Sequence, residues 1–259
     1  MWRHLREPEL VRRWFRWEDA ELDERIRDDV VDAPDEHERT GDGTTTRTLT
    51  WPRSVLVVEA RATTGSAAGV PATEAAATGA ATAGRRAPGG GRTRLSVTRP
   101  SREGSHAAYD GVRDELDELW IASAQQLRFA LGVQPGEERR TLAVIGLDAG
   151  TSRDRLLARA GLHGVRGVPV GGNVQARRPD GTLLGGTVWF KTDQQLGLHL
   201  HGITAALLVL QETPVASDPP NGAVNAVLNA YGVDDATFAD VGARWSAWWS
   251  MAARGERVI

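Results

Sequence analysis

The chain has 259 residues, a formal net charge of −3, no cysteine, and a hydrophobic content of 41%. The lack of cysteine excludes disulfides, thiolate metal sites and cysteine nucleophiles. The net charge is slightly negative, whereas nucleic-acid-binding domains are typically basic. No apolar run approaches the roughly 20 residues that span a bilayer, and the N-terminus lacks the apolar core of a signal peptide. We therefore expect a soluble cytoplasmic protein with neither a nucleic-acid partner nor a membrane span.

Arginine carries nearly all of the positive charge, since Lys191 is the only lysine. We attribute this to high-GC coding bias, which the abundant alanine and glycine also indicate. The functional alternative is arginine-specific recognition of phosphate, which requires local clustering. Arg12, Arg13 and Arg16 do cluster, but a solvated helix face is the favoured interpretation.

The first third of the chain is predicted to be a helix followed by strands. Residues 1–17 form the helix, because Pro8 suits a first helical turn and apolar residues follow at helical spacing. The acidic segment 18–40 offers little to bury. Three β-branched stretches predict strands, at residues 44–51, 54–60 and 92–100. Residues 62–91, rich in Ala, Thr and Gly, are predicted to be a flexible insertion, with an interaction segment as the alternative.

A long amphipathic helix is predicted over residues 111–132. Its apolar residues recur every three or four positions: Val112, Leu116, Leu119, Trp120, Leu127, Ala130 and Leu131. The opposite face is charged, and we expect Glu115 and Glu118 on it to be solvated. Gly132 and Pro135 end the helix.

The second half repeats this order of elements. After a linker at residues 133–140, the pattern predicts a strand at 141–148, a short helix at 152–161, and a hairpin at Pro179-Asp180-Gly181. Two further strands follow within residues 191–213, and a second amphipathic helix spans 234–255. The shared order makes a duplicated domain plausible.

Several motifs of the first half resemble one known family. They are Trp2-Arg3-His4-Leu5 with Glu7–Phe15, the strand Thr93–Thr98, and the helix from Tyr109-Asp110 through Trp120 to Leu127. Together they resemble the activator of Hsp90 ATPase homologue-like family of the START-like (SRPBCC) superfamily, over about residues 1–132. This resemblance implies a helix-grip fold, in which an antiparallel sheet wraps around a long C-terminal helix and a hydrophobic cavity lies between them.

We therefore predict an α+β protein of two tandem helix-grip units. The first unit covers residues 1–132, lacks the family's first strand and carries the insertion. The second, diverged unit covers residues 141–259.

Three other patterns have both a functional and a structural interpretation. Residues 144–152 resemble the first phosphate loop of sugar kinases, but too little chain follows for a two-lobed kinase, so a strand–turn–helix joint capped by Thr151 or Ser152 is favoured. His199 and His201 share one strand face. A metal site completed by His163 or Asp193 is one interpretation of the pair, and a solvated or hydrogen-bonded pair is the favoured one. No G-x-S-x-G nucleophile elbow is present. We predict no catalytic residue, metal or cofactor.

The nine tryptophans are the remaining feature of the sequence that bears on ligand binding. Aromatic walls suit apolar ligands, but indoles also fill cores, and the two interpretations stay open. The candidate cavity residues are Trp14, Trp17, Trp51, Arg94, Leu116, Trp120, Gln126, Leu127, Trp189, Trp245, Trp248 and Trp249. Arg94 or Gln126 would orient a polar end of the ligand.

The leading hypothesis is non-enzymatic binding of a small hydrophobic molecule, or of a client protein, in the helix-grip cavity. The resemblance leaves two alternatives. One is a polyketide cyclase/aromatase-like enzyme that uses the same cavity, and the other is a chaperone-associated interaction protein of the Hsp90-activator kind.

Overall fold

The computed structural model describes residues 1–32, 34–51, 54–61, 83–86, 92–98, 115–202 and 205–255. The chain divides into two compact units. Unit 1 comprises Met1–Phe15, Asp23–Ser105 and Leu119–Gly132, and unit 2 comprises Arg16–Leu22, His106–Glu118 and Val133–Ile259. Within the described residues, no helix is both long and apolar enough to cross a membrane.

The N-terminal segment is helical, but it is not one helix. Helix α1 (Arg3–Arg6) and helix α2 (Pro8–Val11) are separated by Glu7, whose backbone is extended. The residue before a proline disfavours the helical conformation, so Pro8 interrupts the predicted continuous helix. The apolar residues of the motif are nonetheless buried, Leu5 and Val11 fully and Trp14 and Phe15 to 1% exposure.

The acidic segment is more ordered than the sequence predicts. Helix α3 (Leu22–Ile26) continues into a π-helical turn (Arg27–Val31), and strand β1 (Asp35–Gly41) follows. Leu22, Ile26 and Val30 lie four residues apart and are buried, which explains the helix. Strand β1 has every residue exposed, so it shows no hydrophobic alternation by which a sequence pattern would reveal it.

Unit 1 contains a five-stranded antiparallel sheet in the order β1-β2-β3-β5-β4. Its other strands are β2 (Thr44–Trp51), β3 (Ser54–Arg61), β4 (Ala83–Arg86) and β5 (Arg92–Thr98). The three strands predicted in this region are confirmed. Asp42 and Gly43, both with positive φ, form the two-residue turn between β1 and β2. Apart from β4, the predicted insertion at 62–91 lies outside the described residues.

One face of this sheet is apolar and the other is polar. Five side chains of the apolar face are buried: Leu49, Leu56, Val58, Leu95 and Val97. Since side chains alternate along a strand, the residues between them lie on the opposite face.

The predicted central helix is confirmed as α4 (Glu115–Gly132), and residues 111–114 lie outside the described residues. The expectation that Glu118 is solvated is wrong, because its side chain is completely buried. Ser123, Gln126 and Phe129 are buried as well. The helix is therefore buried on more than one side, which a search for a single apolar stripe does not detect.

Unit 2 contains a six-stranded antiparallel sheet in the order β6-β13-β12-β11-β10-β9. The first strand of the unit thus pairs with the last. Its elements are β6 (Arg139–Asp148), the short hairpin β7 (Gly150–Thr151) and β8 (Asp154–Arg155), α5 (Leu156–Arg159), a 3-10 turn (Val165–Gly167), β9 (Asn173–Arg177), β10 (Leu183–Lys191), β11 (Gln195–Leu200), β12 (Ala206–Thr213), β13 (Ala223–Tyr231) and α6 (Asp235–Arg254).

Two details of unit 2 differ from the sequence prediction. The helix predicted over 152–161 is confined to α5, because residues 150–155 form the β7–β8 hairpin. Strand β13 was not predicted, since Asn225 and Asn229 interrupt its apolar run. Asn229 is buried, where it donates to the carbonyl of Leu207 (3.1 Å) and accepts from Arg139 (3.2 Å).

Helix α6 closes unit 2 with one apolar stripe. Its buried residues are Val241, Trp245, Trp248, Trp249 and Ala252, and they form one core with buried residues of the sheet strands. Asp234 caps the start of the helix by accepting from the Thr237 amide, and Gly255, at φ 73°, ends it. The predicted fold class is confirmed: the protein is α+β, with two antiparallel sheets that are each followed by a long helix.

Tyr231, at the end of β13, is 1% exposed, and burial raises the pKa of its hydroxyl to about 12 even though Arg139 opposes the shift. The unfolded chain releases this proton near pH 10. Folding stability should therefore be unaffected by this group below about pH 10 and should fall between about pH 10 and 12, where the unfolded state binds fewer protons. A Tyr109→Phe variant has Tyr231 as its one tyrosine. Its tyrosinate absorbance should rise with a midpoint near pH 12. Titration near 10 in the folded protein would contradict this.

Candidate functional site

The interior of unit 2 holds three tryptophans of helix α6 in mutual contact. The rings of Trp248 and Trp249 stack with centroids 5.0 Å apart, and Trp245 meets them edge-on at 5.9 and 5.5 Å. Each indole is at most 4% exposed. Residues 245, 248 and 249 lie three and four apart, which places them on one face of the helix. We call this group the indole cluster.

The three indole N–H groups differ in their hydrogen bonding. Trp248 Nε1 donates to the carbonyl of Ala160 at 3.0 Å. The Nε1 atoms of Trp245 and Trp249 are buried and have no acceptor among the described residues. A buried donor without an acceptor costs about 1–3 kcal/mol, and most buried indole N–H groups do find a partner. The indole cluster therefore presents two donors that an oxygen acceptor would satisfy.

The core around the indole cluster is aliphatic. Buried aliphatic residues of the sheet strands and of α5 surround the indole cluster, and the Arg178 guanidinium lies over the Trp248 ring at 5.5 Å. The aliphatic side chains supply apolar contact surface and no general acid or base.

The predicted site residues of the first half fall into several environments. Trp14, Phe15 and Trp120 form an aromatic chain with centroid distances of 5.7 and 6.0 Å. Sequence reasoning missed Phe15 as a member, although it belongs to the same motif. Trp14 Nε1 donates to the His4 carbonyl at 2.7 Å.

The remaining candidates are more scattered. Trp51, Gln126 and Leu127 are buried, and Trp51 Nε1 has no acceptor among the described residues. Trp17 and Leu116 are half-buried. Arg94 is exposed and lies on the sheet face opposite Leu95 and Val97, away from the apolar interior. Its role, like that of the other candidates, stays a prediction.

A buried polar cluster that the sequence did not reveal lies within unit 2. Gln195 Nε2 donates both to the Glu118 carbonyl (2.5 Å) and to Glu118 Oε2 (2.6 Å), and Thr192 Oγ1 lies 3.5 Å from the same Oε2. Both Glu118 and Gln195 are completely buried. No pattern marks this pair, because the two residues are 77 positions apart.

The histidine pair has the predicted geometry. The rings of His199 and His201 lie on one face with centroids 4.7 Å apart, and Trp189 contacts His199 edge-on at 6.4 Å. His201 Nε2 lies 3.3 Å from Thr187 Oγ1. Burial and the neighbouring His201 lower the pKa of His199. Among the described residues, no group of three His, Asp or Glu side chains is placed to hold a metal ion.

The phosphate-loop-like segment is a turn. Asp148 Oδ1 accepts from the Gly150 amide at 2.7 Å and from Asn221 Nδ2 at 3.1 Å, and Gly150 has φ 77°. The strand–turn interpretation is thus correct. The expected cap at Thr151 or Ser152 is wrong, because the chain continues into β8 and α5 begins only at Leu156.

No protein-family model matches the sequence, and no curated protein matches it significantly. The resemblance to the Hsp90-activator-like family is therefore not confirmed.

Three solved structures are similar at low TM-score. The di-domain ARO/CYC StfQ from the steffimycin biosynthetic pathway is 13% identical over 85% of each chain, with a TM-score of 0.26. DynU16, from the dynemicin biosynthetic locus, is 14% identical over 98% of this chain and 91% of its own, with a TM-score of 0.27. The di-domain ARO/CYC BexL from the BE-7585A pathway is 9% identical over 86% of this chain and 80% of its own, with a TM-score of 0.28. Structural similarity at this level carries no information about the activity of this chain.

Proposed function

We propose that the protein is polyketide cyclase/aromatase-like, and that unit 2 holds a flat, apolar, oxygen-bearing molecule against the indole cluster. The observation that carries this proposal is the pair of buried indole donors at Trp245 and Trp249, which have no acceptor within the part of the chain that the structure describes. Ketone and phenol oxygens on an aromatic skeleton are acceptors of the kind these donors require. The aliphatic core around them suits the rest of such a skeleton.

A second candidate is non-enzymatic binding of the same class of molecule. It is favoured by the aliphatic side chains that pack around the indole cluster, which carry no acid or base. In that case the affinity comes from apolar burial, at about 25 cal/mol per Å², and from two hydrogen bonds. The molecule is later released unchanged. The two candidates share one site and differ only in whether the bound molecule reacts.

The experiment is calorimetric titration of the full chain with 1,8-dihydroxyanthraquinone and with anthracene, which has the same skeleton without oxygens. We expect saturable binding of the anthraquinone. Trp245→Phe and Trp249→Phe retain most of the apolar surface but lose the donor, so each should weaken anthraquinone binding about five- to tenfold, the value of one hydrogen bond. Each change should weaken the binding of anthracene much less than that of the anthraquinone.

Trp189→Phe is the matched control, since Trp189 lies outside the hydrophobic core that contains the indole cluster. The proposal is refuted if the protein does not bind the anthraquinone. It is also refuted if Trp189→Phe weakens binding as much as Trp249→Phe does. Conversion of a linear poly-β-ketone by the binding-competent protein, with product cyclised faster than in buffer, would distinguish the enzyme from the non-enzymatic binder.

A further inference from the structure

The polar face of the unit 1 sheet carries an unusual number of arginines. Arg39, Arg61 and Arg94 lie at positions of this face on β1, β3 and β5, and all three are exposed. By backbone register, Arg92 and Arg86 occupy the same face on β5 and β4. We call this surface the arginine face. The strands also place two acidic residues on this face, Glu59 opposite Arg94 and Asp35 at the start of β1.

The backbone register aligns arginine positions across adjacent strands. Arg61 is paired with Arg92, and Arg92 with Arg86, so three arginine positions follow one another across adjacent strands. Neighbouring strands are about 4.8 Å apart, so the backbone positions of this row are close neighbours.

The arginines of this face also differ from an arginine on the opposite face. Arg47 pairs with Glu38 at 2.9 Å and lies over the Trp2 ring at 5.0 Å. Within the described residues, Arg39, Arg61 and Arg94 form no ion pair. Their guanidinium groups are therefore available to an external anion.

Part of the arginine face is concave. A cavity of about 420 Å³ is lined by Arg39, Thr40, Gly41, Asp42, Thr44, Thr46, Glu59 and Arg61. Thr44 and Thr46 lie on β2 between the two arginines, and Arg61 Nε donates to Thr44 Oγ1 at 3.2 Å. Two guanidinium forks with hydroxyl groups between them match the oxygens of a phosphate.

We propose that this cavity binds a phosphate-bearing small molecule through Arg39 and Arg61. The size favours a small molecule, since ligand sites of about 300–1,000 Å³ are usual for them. The formal net charge of −3 disfavours a nucleic acid as the occupant. This site is separate from the indole cluster and does not depend on the function proposed for it.

The test is calorimetric titration of the full chain with inorganic pyrophosphate at low ionic strength. We expect saturable binding that Arg39→Gln and Arg61→Gln each weaken at least tenfold. Glu59→Gln should strengthen binding several-fold, because it removes a carboxylate from the cavity lining. Arg153→Gln, an exposed arginine of unit 2, is the matched control and should bind like the parent protein. Circular dichroism checks that each variant is folded.

A thermal measurement provides a second readout. Pyrophosphate should raise the Tm of the parent protein but not that of the Arg39→Gln/Arg61→Gln double variant. The proposal is overturned if pyrophosphate does not saturate, if Arg153→Gln weakens binding as much as Arg61→Gln does, or if duplex DNA binds more tightly than pyrophosphate.

Discussion

Replacement of Trp249 by alanine is expected to lower the free energy of unfolding by about 3–5 kcal/mol, the range for removing a large aromatic side chain from a packed core. Trp249 is 2% exposed and contacts both other rings of the indole cluster. Truncation removes the stacked partner of Trp248 and the edge contact with Trp245. Because Trp249 Nε1 has no acceptor among the described residues, the loss comes from packing and not from a broken hydrogen bond.

Urea unfolding followed by circular dichroism measures this loss. Trp249→Phe, which keeps a ring in the core, should lose considerably less, and Trp189→Ala, a half-buried position on β10, should also lose less than half as much. A loss below about 1 kcal/mol for Trp249→Ala would mean that the indole cluster is not tightly packed.

Replacement of Gln195 by alanine is expected to cost about 2–4 kcal/mol. The Gln195 amide donates to both the carbonyl and a carboxylate oxygen of Glu118, and both residues are completely buried. A buried acceptor that loses its donor has lost its hydrogen bonds to water without a replacement, which lowers the free energy of unfolding. The loss is larger when the acceptor is a carboxylate.

Gln194 provides a matched control for this change. It is the same residue type one position earlier, and its side chain is only partly buried. Gln194→Ala should therefore shift the urea midpoint little. If the two variants lose equal stability, the contribution of the Glu118–Gln195 hydrogen bonds is negligible and burial of this carboxylate is supported by other contacts.

Local patterns in the sequence were sufficient for most of the secondary structure. The three- and four-residue spacing of apolar side chains located helices α4 and α6, because the helical period is a property of the segment itself. The β-branched runs located β2, β3 and β5. The Pro179-Asp180-Gly181 turn was also found, since Gly181 supplies the positive φ of 82° that the turn requires.

Strands β1 and β13 and one buried charge are examples of what these patterns did not predict. Strand β1 is charged and exposed throughout, and β13 is interrupted by asparagines, so neither shows the usual alternation. Glu118 was assigned to a solvated face because it lies among other charged residues on its helix. Only the tertiary structure places Gln195, from a distant strand, against it.

The sequence by itself determined the α+β class, the two long amphipathic helices and their tryptophans, because these depend on short-range periodicity. The tertiary structure alone decided the pairing of β6 with β13 and the row of backbone positions of Arg61, Arg92 and Arg86. It also decided that Trp245 and Trp249 have no acceptor among the residues that it describes. Each of these depends on strand register or on what packs over a side chain. Both are set by residues far apart in the chain, whose encounter no local pattern encodes.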